Sequence, residues 1–429
     1  MRAKRWTEGS GRRRRNLTRV LVPAVVGLLV AGCGSSSSKS SSGGTTTSGG
    51  TSSPTTSGGS PSSGSSGGDY IVGASLGLTG PIAEVAGPYR QGIAAYYQAV
   101  NSSGGINGHQ VKFVALDDAL DVTTSVANVR QLVSSDHVSA MYFILSNIQG
   151  ANASYLTQSE VVTITQAVDS SVLHPANHLL FAGGIVEPDE APPMVDFGVT
   201  KLSSPQGTKA AVITANSAAL QELDTNLKTD AKAKGMSIVG NQVVPTSATD
   251  LSSEAEQFAS AKPNIVFSGL IASQEPSFIQ TLRQRGFTGP VIQYDGGSSY
   301  PLMKQLADPN IYMLFSLSFG HNTGPQVTKM TAAAKAAGTS SDAYFFAQGY
   351  VQAYITGQGL TKCGYPCNGA KLATSLESLG SINTGGLTYG PWIYSPTDHS
   401  GVQDVAFFSW STSAKDAVQD GTTYPMPNT

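Results

Sequence analysis

Beyond residue 68 the chain alternates between two kinds of segment. Short apolar runs, Tyr70-Ile71-Val72-Gly73-Ala74, Val111-Lys112-Phe113-Val114-Ala115 and Ala140-Met141-Tyr142-Phe143-Ile144, read as buried strands. Between them, Gln91 to Asn101 and Val122 to Val133 carry apolar residues at helical spacing. The alternation resumes with Ala210-Ala211-Val212-Ile213, Ile238-Val239-Gly240, Asn264-Ile265-Val266-Phe267 and Pro290-Val291-Ile292. Strand, helix, strand, in two series, predicts an α/β fold with two doubly wound parallel sheets. Residues 69–429 are enough for two lobes of ordinary size. Ligands of such sheets bind beyond the carboxyl ends of the strands, so the loops after those strands are where function is sought.

The first 68 residues follow no such pattern. A basic stretch with Arg12, Arg13, Arg14, Arg15 and Arg19 precedes the uncharged run Val20 to Ala31. A spanning helix needs about 20 apolar residues, so this shorter run reads as the core of a signal peptide, residues 1–32. It ends in Leu29-Val30-Ala31-Gly32-Cys33, which resembles the lipobox of bacterial lipoproteins, and the resemblance implies lipidation at Cys33. Arg14-Arg15-Asn16-Leu17 also resembles a twin-arginine signal, which leaves the export route open. Residues 34–68 are almost wholly Ser, Gly, Thr and Pro, with Lys39 the only charge and no side chain worth burying. As a flexible coil this linker has a root-mean-square span of roughly 30–35 Å.

Loss of the signal changes the charge. The whole chain has 26 Lys+Arg and 28 Asp+Glu; residues 1–32 hold eight of the former and one of the latter, leaving 18 against 27, a net charge of −9. An acidic, charge-sparse surface argues against nucleic-acid or anionic-membrane binding. Besides Cys33 there remain Cys363 and Cys367, read as a local disulfide closing a Gly/Pro turn in an oxidising compartment. A metal knuckle would need further Cys or His nearby.

The order of several marks resembles the extracytoplasmic substrate-binding proteins of branched-chain amino acid ABC transporters, over essentially all of 69–429. They are Leu78-Thr79-Gly80-Pro81; a helix from near Pro88 with Gly92 and Ala95; the turn Gly104-Gly105-Ile106-Asn107-Gly108; Asp117-Asp118; Ile164-Thr165-Gln166-Ala167; Leu282 to Gly286; the aromatic helix Tyr344 to Tyr354; and Gly390-Pro391 before the strand Val405 to Trp410. The resemblance implies the type I periplasmic-binding-protein fold, with three crossovers between lobes. That gives a first lobe of about 69–186 plus 320–388 and a second of about 187–319 plus 389–429. It also implies a monomer without cofactor or metal, closing on a small amino acid-like solute and docking on a membrane permease with its ATPase.

Carried over residue by residue, the family's carboxylate-binding positions fall on Ser146 and Asn147 after the third strand and on Ala167, Val168 and Asp169 after the fourth. Asp169 stands where the family has threonine, and a carboxylate there repels a ligand carboxylate; Ser170 or Ser171 is the alternative donor. The acid that binds the ligand ammonium falls on Asp295, although Asp295-Gly296-Gly297 also reads as a plain turn. The aromatic contacts are replaced by Val85, by Ala219 or Leu220, and by Ile271, with Tyr89 and Tyr294 as other sources of aromatic surface. Leu120 and Leu145 stand where some relatives have paired cysteines.

Two rival readings come from a different class. A sensor of the same fold would signal ligand occupancy to a kinase instead of a permease. A secreted hydrolase would use Ser75, since Gly73-Ala74-Ser75-Leu76-Gly77 matches the nucleophile-elbow pattern, but this match lies on the first strand, without the strands that precede such an elbow. His174 and His178 have the spacing of a metal pair yet lack a third ligand close by. No P-loop or dinucleotide-binding glycine fingerprint occurs.

Overall fold

The structure, a computed structural model, describes residues 68–80, 82–166, 173, 177–319 and 322–427. The signal, Cys33 and nearly all of the linker lie outside the described residues.

Strands β1 (Tyr70–Leu76), β2 (Val111–Asp117), β3 (Ala140–Phe143), β4 (Val162–Thr165) and β5 (Leu180–Ala182) form one sheet in the order β2-β1-β3-β4-β5, with every pair parallel. Helices α1 (Ala83–Ser102), α2 (Val122–Ser134) and α3 (Ser146–Gln158) connect its first four strands. Six of the seven residues of β1 are buried, which is why its sequence is an apolar run rather than an alternation. Asp121 caps α2, accepting from Thr124 N–H at 2.7 Å. The helix expected from Pro88 begins five residues earlier, at Ala83, with Pro88 inside it. In the turn after α1, Gly105 has φ +80°, and a Cβ there would lie 2.0 Å from the His109 carbonyl oxygen.

The chain then enters a second sheet through a 3₁₀ turn (Glu187–Glu190) and α4 (Ala191–Thr200). Strands β6 (Lys209–Ala215), β7 (Ser237–Val244), β8 (Ile265–Gly269), β9 (Val291–Gln293) and β10 (Ile311–Phe315) lie parallel in the order β10-β9-β8-β6-β7. They alternate with α5 (Ala218–Ala233), α6 (Ser252–Ala261), α7 (Glu275–Gln284) and α8 (Tyr300–Leu306).

After β10 the chain returns to the first sheet with α9 (Pro325–Ala336), α10 (Tyr344–Cys363) and α11 (Gly369–Glu377). Two glycines let α10 lie against α1: a Cβ on Gly92 would sit 2.1 Å from Phe346 O, and one on Gly349 2.1 Å from Tyr89 O. Strands β11 (Gly380–Ile382), β12 (Trp392–Ser395) and β13 (Asp398–Val402) make a small antiparallel sheet. Residues 389–402 were expected in the second lobe, but β12 and β13 dock on β5: Tyr394 OH donates to Ala182 O at 2.5 Å, and the His399 ring stacks on Phe181 at 4.0 Å. The last passage therefore follows Val402, after which β14 (Asp404–Ser411) pairs antiparallel with β10 and β15 (Asp416–Gln419) with β14.

A disulfide joins Cys363 to Cys367, with Cα atoms 5.8 Å apart. Within its loop Tyr365 stacks on His109 at 3.9 Å, and His109 Nδ1 lies 2.9 Å from Gly68 O, so the loop sits where the linker meets the fold. Leu120 and Leu145 pack against one apolar cluster that includes Val129, Met141 and Phe143. Among the described residues no helix is long and apolar enough to cross a membrane.

Candidate functional site

The carboxyl ends of the parallel strands hold most of the residues singled out in the sequence. On the first sheet, Ser146 and Asn147 open α3, the former half-buried and the latter exposed. The residue before them, Leu145, has no side chain that can cap the helix, so the first-turn N–H groups lack a side-chain acceptor from the N-cap. Such a helix start attracts a carboxylate or another anion. Gln166 follows β4; Ala167, Val168, Asp169, Ser170 and Ser171, as well as His174, lie outside the described residues. Val85 is in the first turns of α1, half-buried against the core.

On the second sheet, Ser217 caps α5 by accepting from Leu220 N–H at 3.2 Å, and this turns Leu220 into the core, where it is 3 % exposed. Ala219 beside it is also buried. Ile271, after β8, is half-buried. Tyr89 and Tyr294 are core residues: Tyr89 donates to Gln352, and Tyr294 is wedged against the glycines of the turn that follows it.

Asp295 is wholly buried. Its Oδ1 accepts from Ser316 N–H at 3.0 Å; its Oδ2 accepts from the Ser316 hydroxyl at 2.8 Å and from the Tyr344 hydroxyl. Its own N–H donates to Glu190 Oε2 at 2.7 Å. Burial pushes the Asp295 carboxyl up to about 6. Burial, and then the neighbouring Asp295, hold Glu190 well above the usual carboxylate range. A third acid, Glu275, opens α7, wholly buried, with Ser268 Oγ donating to its Oε1 at 2.6 Å; burial pushes its carboxyl up to about 8. Desolvation favours the protonated form of all three, and no ion pair among the described residues includes any of them.

Buried polar atoms without a partner among the described residues gather in the same region. Thr165 Oγ1 ends β4, Gln293 Oε1 ends β9, and Thr214 Oγ1 is one residue from the end of β6. Glu190 Oε1 and Glu275 Oε2 belong with them, as do both amide atoms of Gln348. Gln348 lies four residues after Tyr344 and four before Gln352, so the three share a face of α10. Gln352 donates to Gln166 Oε1 at 3.1 Å. A Cβ on Gly184 would meet Gln348 Nε2 at 2.7 Å and Gln166 Oε1 at 2.9 Å, so this glycine lets the first crossover pass close to the glutamines. Each unpartnered buried group costs about 1–3 kcal/mol, and folded proteins carry few. Three of these atoms stand at or next to the carboxyl ends of parallel strands.

Sequence reasoning missed Glu190, Glu275, Tyr344 and Gln348. Glu190 follows Glu187-Pro188-Asp189 and reads as part of a solvated acidic turn, and Glu275 reads as an ordinary acid in a helical first turn. Only the fold reveals that both are buried.

The rival chemistries find little support in the geometry. Ser75 is 2 % exposed; its hydroxyl donates to Asp118 Oδ2 at 2.8 Å and lies 3.1 Å from Ser125 Oγ. Asn128 and Asn152 extend this network, which ties the end of β1 to α2 and α3 and in which no histidine takes part. His178 Nδ1 lies 2.7 Å from Glu377 Oε1, and His399 Nε2 lies 3.3 Å from the same oxygen. No group of three metal-capable side chains occurs among the described residues. An open groove of about 850 Å³ between α1 and β2, and a pocket of about 220 Å³ between α3 and β4, lie away from the three buried acids.

Comparison with known proteins agrees with this architecture. The profile of a family described as periplasmic binding protein matches residues 70–417. The Leu/Ile/Val-binding protein homolog 7 of Brucella suis biovar 1 is 23 % identical over 236 residues, which span 53 % of this chain and 59 % of that relative. A branched-chain amino acid ABC transporter structure from Thermus thermophilus with bound valine superposes with a TM-score of 0.73 at 14 % identity, covering 83 % of this chain and 97 % of the other. The solute-binding protein of an ABC transporter from Rhodopseudomonas palustris BisB5, in complex with 3,4-dihydroxybenzoic acid, gives 0.72 at 18 % identity over 83 % and 98 %. At these identities the likeness to the two structures is one of fold, and that fold is the type I periplasmic-binding-protein fold.

Proposed function

The chain belongs to the periplasmic binding protein family, and from that premise we propose that it is an extracytoplasmic solute-binding lipoprotein of an ABC importer. It captures a small organic solute, an amino acid or a related organic acid, between two lobes built on the two sheets and delivers it to a membrane permease with its ATPase. The observation that carries this reading is the cluster of unpartnered buried polar atoms at the strand ends of both sheets, joined by the uncapped start of α3. A solute carboxylate is received at that helix start by Ser146 and Asn147 and by the loop of Ala167 and Val168, with Ser170 or Ser171 donating in place of Asp169. Val85 and Ile271 contribute apolar surface, and the lobes close by hinge motion at their three crossings. Two ligand types bound by proteins of this fold, valine and 3,4-dihydroxybenzoic acid, share a carboxylate and differ in almost everything else. Cys33 carries the lipid, and residues 34–68 form the tether that keeps a monomeric domain within reach of its permease.

A thermal-shift panel on the mature chain tests the proposal, since a ligand at 100 times its dissociation constant adds about 2.7 kcal/mol of stability. At least one amino acid, aromatic acid or aliphatic acid is expected to raise the melting temperature, and Ser146→Ala with Asn147→Ala to weaken that rise. A flat response across all three classes would overturn the reading.

A further inference from the structure

Asp295 stands where the family resemblance puts the counter-ion for a ligand ammonium, yet its carboxylate is already engaged by the protein. The groups that engage it come from separate parts of the chain. Ser316 follows β10 at the second passage between the sheets and gives two donors, at 3.0 and 2.8 Å; Tyr344 opens α10, which packs on α1 beside the first sheet. Glu190, accepting from the Asp295 N–H at 2.7 Å, ends the 3₁₀ turn just after the first passage. Asp295, two residues past the end of β9, therefore holds together two of the three crossings and a helix of the opposite lobe.

We infer that Asp295, Glu190, Ser316 and Tyr344 form a latch across the hinge, and that this latch, by using the carboxylate itself, tunes the cleft for solutes that present no ammonium there. The inference rests on the solute-binding reading above. None of the ion pairs among the described residues includes Glu190 or Asp295. The other titratable groups of the described residues that interact with the pair are Glu187, Asp189, Tyr294, Tyr344 and Tyr389, none of them a cation. Two neighbouring buried carboxyls, joined here through the Asp295 N–H and Glu190 Oε2, are stable together when at least one of them keeps its proton. An entering ammonium would have to displace the Tyr344 hydroxyl and compete with donors fixed by the backbone, whereas a solute with hydrogen or hydroxyl at that position displaces neither. Tyr344 is thus the specificity-determining residue, through its hydroxyl contact from the first lobe.

The test uses the mature chain and two readouts. Calorimetric titration compares matched solutes with and without the amine: valine with 3-methylbutanoate, and phenylalanine with 3-phenylpropanoate. The amine-free member is expected to bind about tenfold tighter or better, because an unmatched buried polar group is penalised on that scale; Tyr344→Phe, which frees Asp295 Oδ2 and keeps the ring, should narrow or reverse the preference. Tighter binding of the amine member by the unaltered chain, abolished by Asp295→Asn, would overturn the specificity claim. Hydrogen exchange of the ligand-free chain reads the latch separately: Tyr344→Phe and Glu190→Ala should each speed exchange at the Asp295 and Ser316 amides, and unchanged exchange would overturn the latch. If no solute of either pair binds, the solute reading and the specificity claim fall together, while exchange still decides the latch.

Discussion

Glu275→Gln converts burial into a measurable pH dependence. Glu275 is wholly buried at the start of α7, accepts one hydrogen bond from Ser268 and has an unpartnered Oε2. Its carboxyl lies at about 8 in the folded chain against 4.5 for the unburied group. Between those values the folded state holds a proton that the unfolded state has lost. Stability from this group is therefore fully present below pH 4.5 and is lost as pH rises through about 8. The slope is about −1.4 kcal/mol per pH unit, on the order of 5 kcal/mol across the window. A folded domain of this length has an unfolding entropy near 0.75 kcal/mol per kelvin, so the term is worth about 2 °C of melting temperature per pH unit. Glutamine has nearly the same shape, keeps an acceptor for Ser268 and does not titrate. The assay is calorimetric melting of both chains from pH 5 to 8. The melting temperature of the original chain should fall relative to the variant by about 2 °C per unit, so that the variant gains most at the alkaline end. Parallel curves would refute the argument, because they would mean that the carboxyl is ionised at neutral pH and balanced inside the protein.

Other perturbations test other parts of the structure. Gly92→Ala or Gly349→Ala puts a methyl group against a backbone carbonyl oxygen at 2.1 Å and must push α1 from α10; a loss of about 3 kcal/mol, read from urea unfolding, is expected from overpacking of this severity. Ser75→Ala breaks the buried network with Asp118 and Ser125; it should cost about 1–2 kcal/mol and leave solute affinity unchanged, whereas loss of an esterase activity would revive the hydrolase reading. Replacing Cys363 and Cys367 together by serine opens a short loop worth about 2 kcal/mol of chain entropy. It should also free Tyr365 from His109 and so speed proteolysis next to Gly68. Cys33→Ser should move the protein from the membrane fraction to the soluble fraction on cell fractionation.

The strands were legible because a parallel sheet covered on both faces selects apolar runs, and β1, β2 and β3 lie where Tyr70, Val111 and Ala140 begin such runs. Boundaries were less legible. Pro88 reads as a first-turn residue, yet α1 starts at Ala83 and carries Pro88 as its sixth residue, where the helix does without one interior hydrogen bond. The docking of β12 and β13 on β5 was not legible, because nothing local in these residues reveals that Tyr394 and His399 pack there. The candidate site was legible as a set of loops and not as chemistry. Ser146 and Asn147 open α3 as their place after a strand suggests, whereas Leu220 is turned into the core by the Ser217 cap.

By itself the sequence determined the class of fold and the alternation of its elements, because each of these rests on contiguous residues and their spacing. Only the tertiary structure decided the electrostatic character of the surroundings of Asp295. Glu190, Asp295, Ser316 and Tyr344 are separated by up to 154 positions in the chain, and each is unremarkable where it stands. Their chemistry arises when two crossings and a helix of the other lobe exclude water from one place. Desolvation is a property of surroundings assembled from distant segments, and no local pattern of residues encodes it.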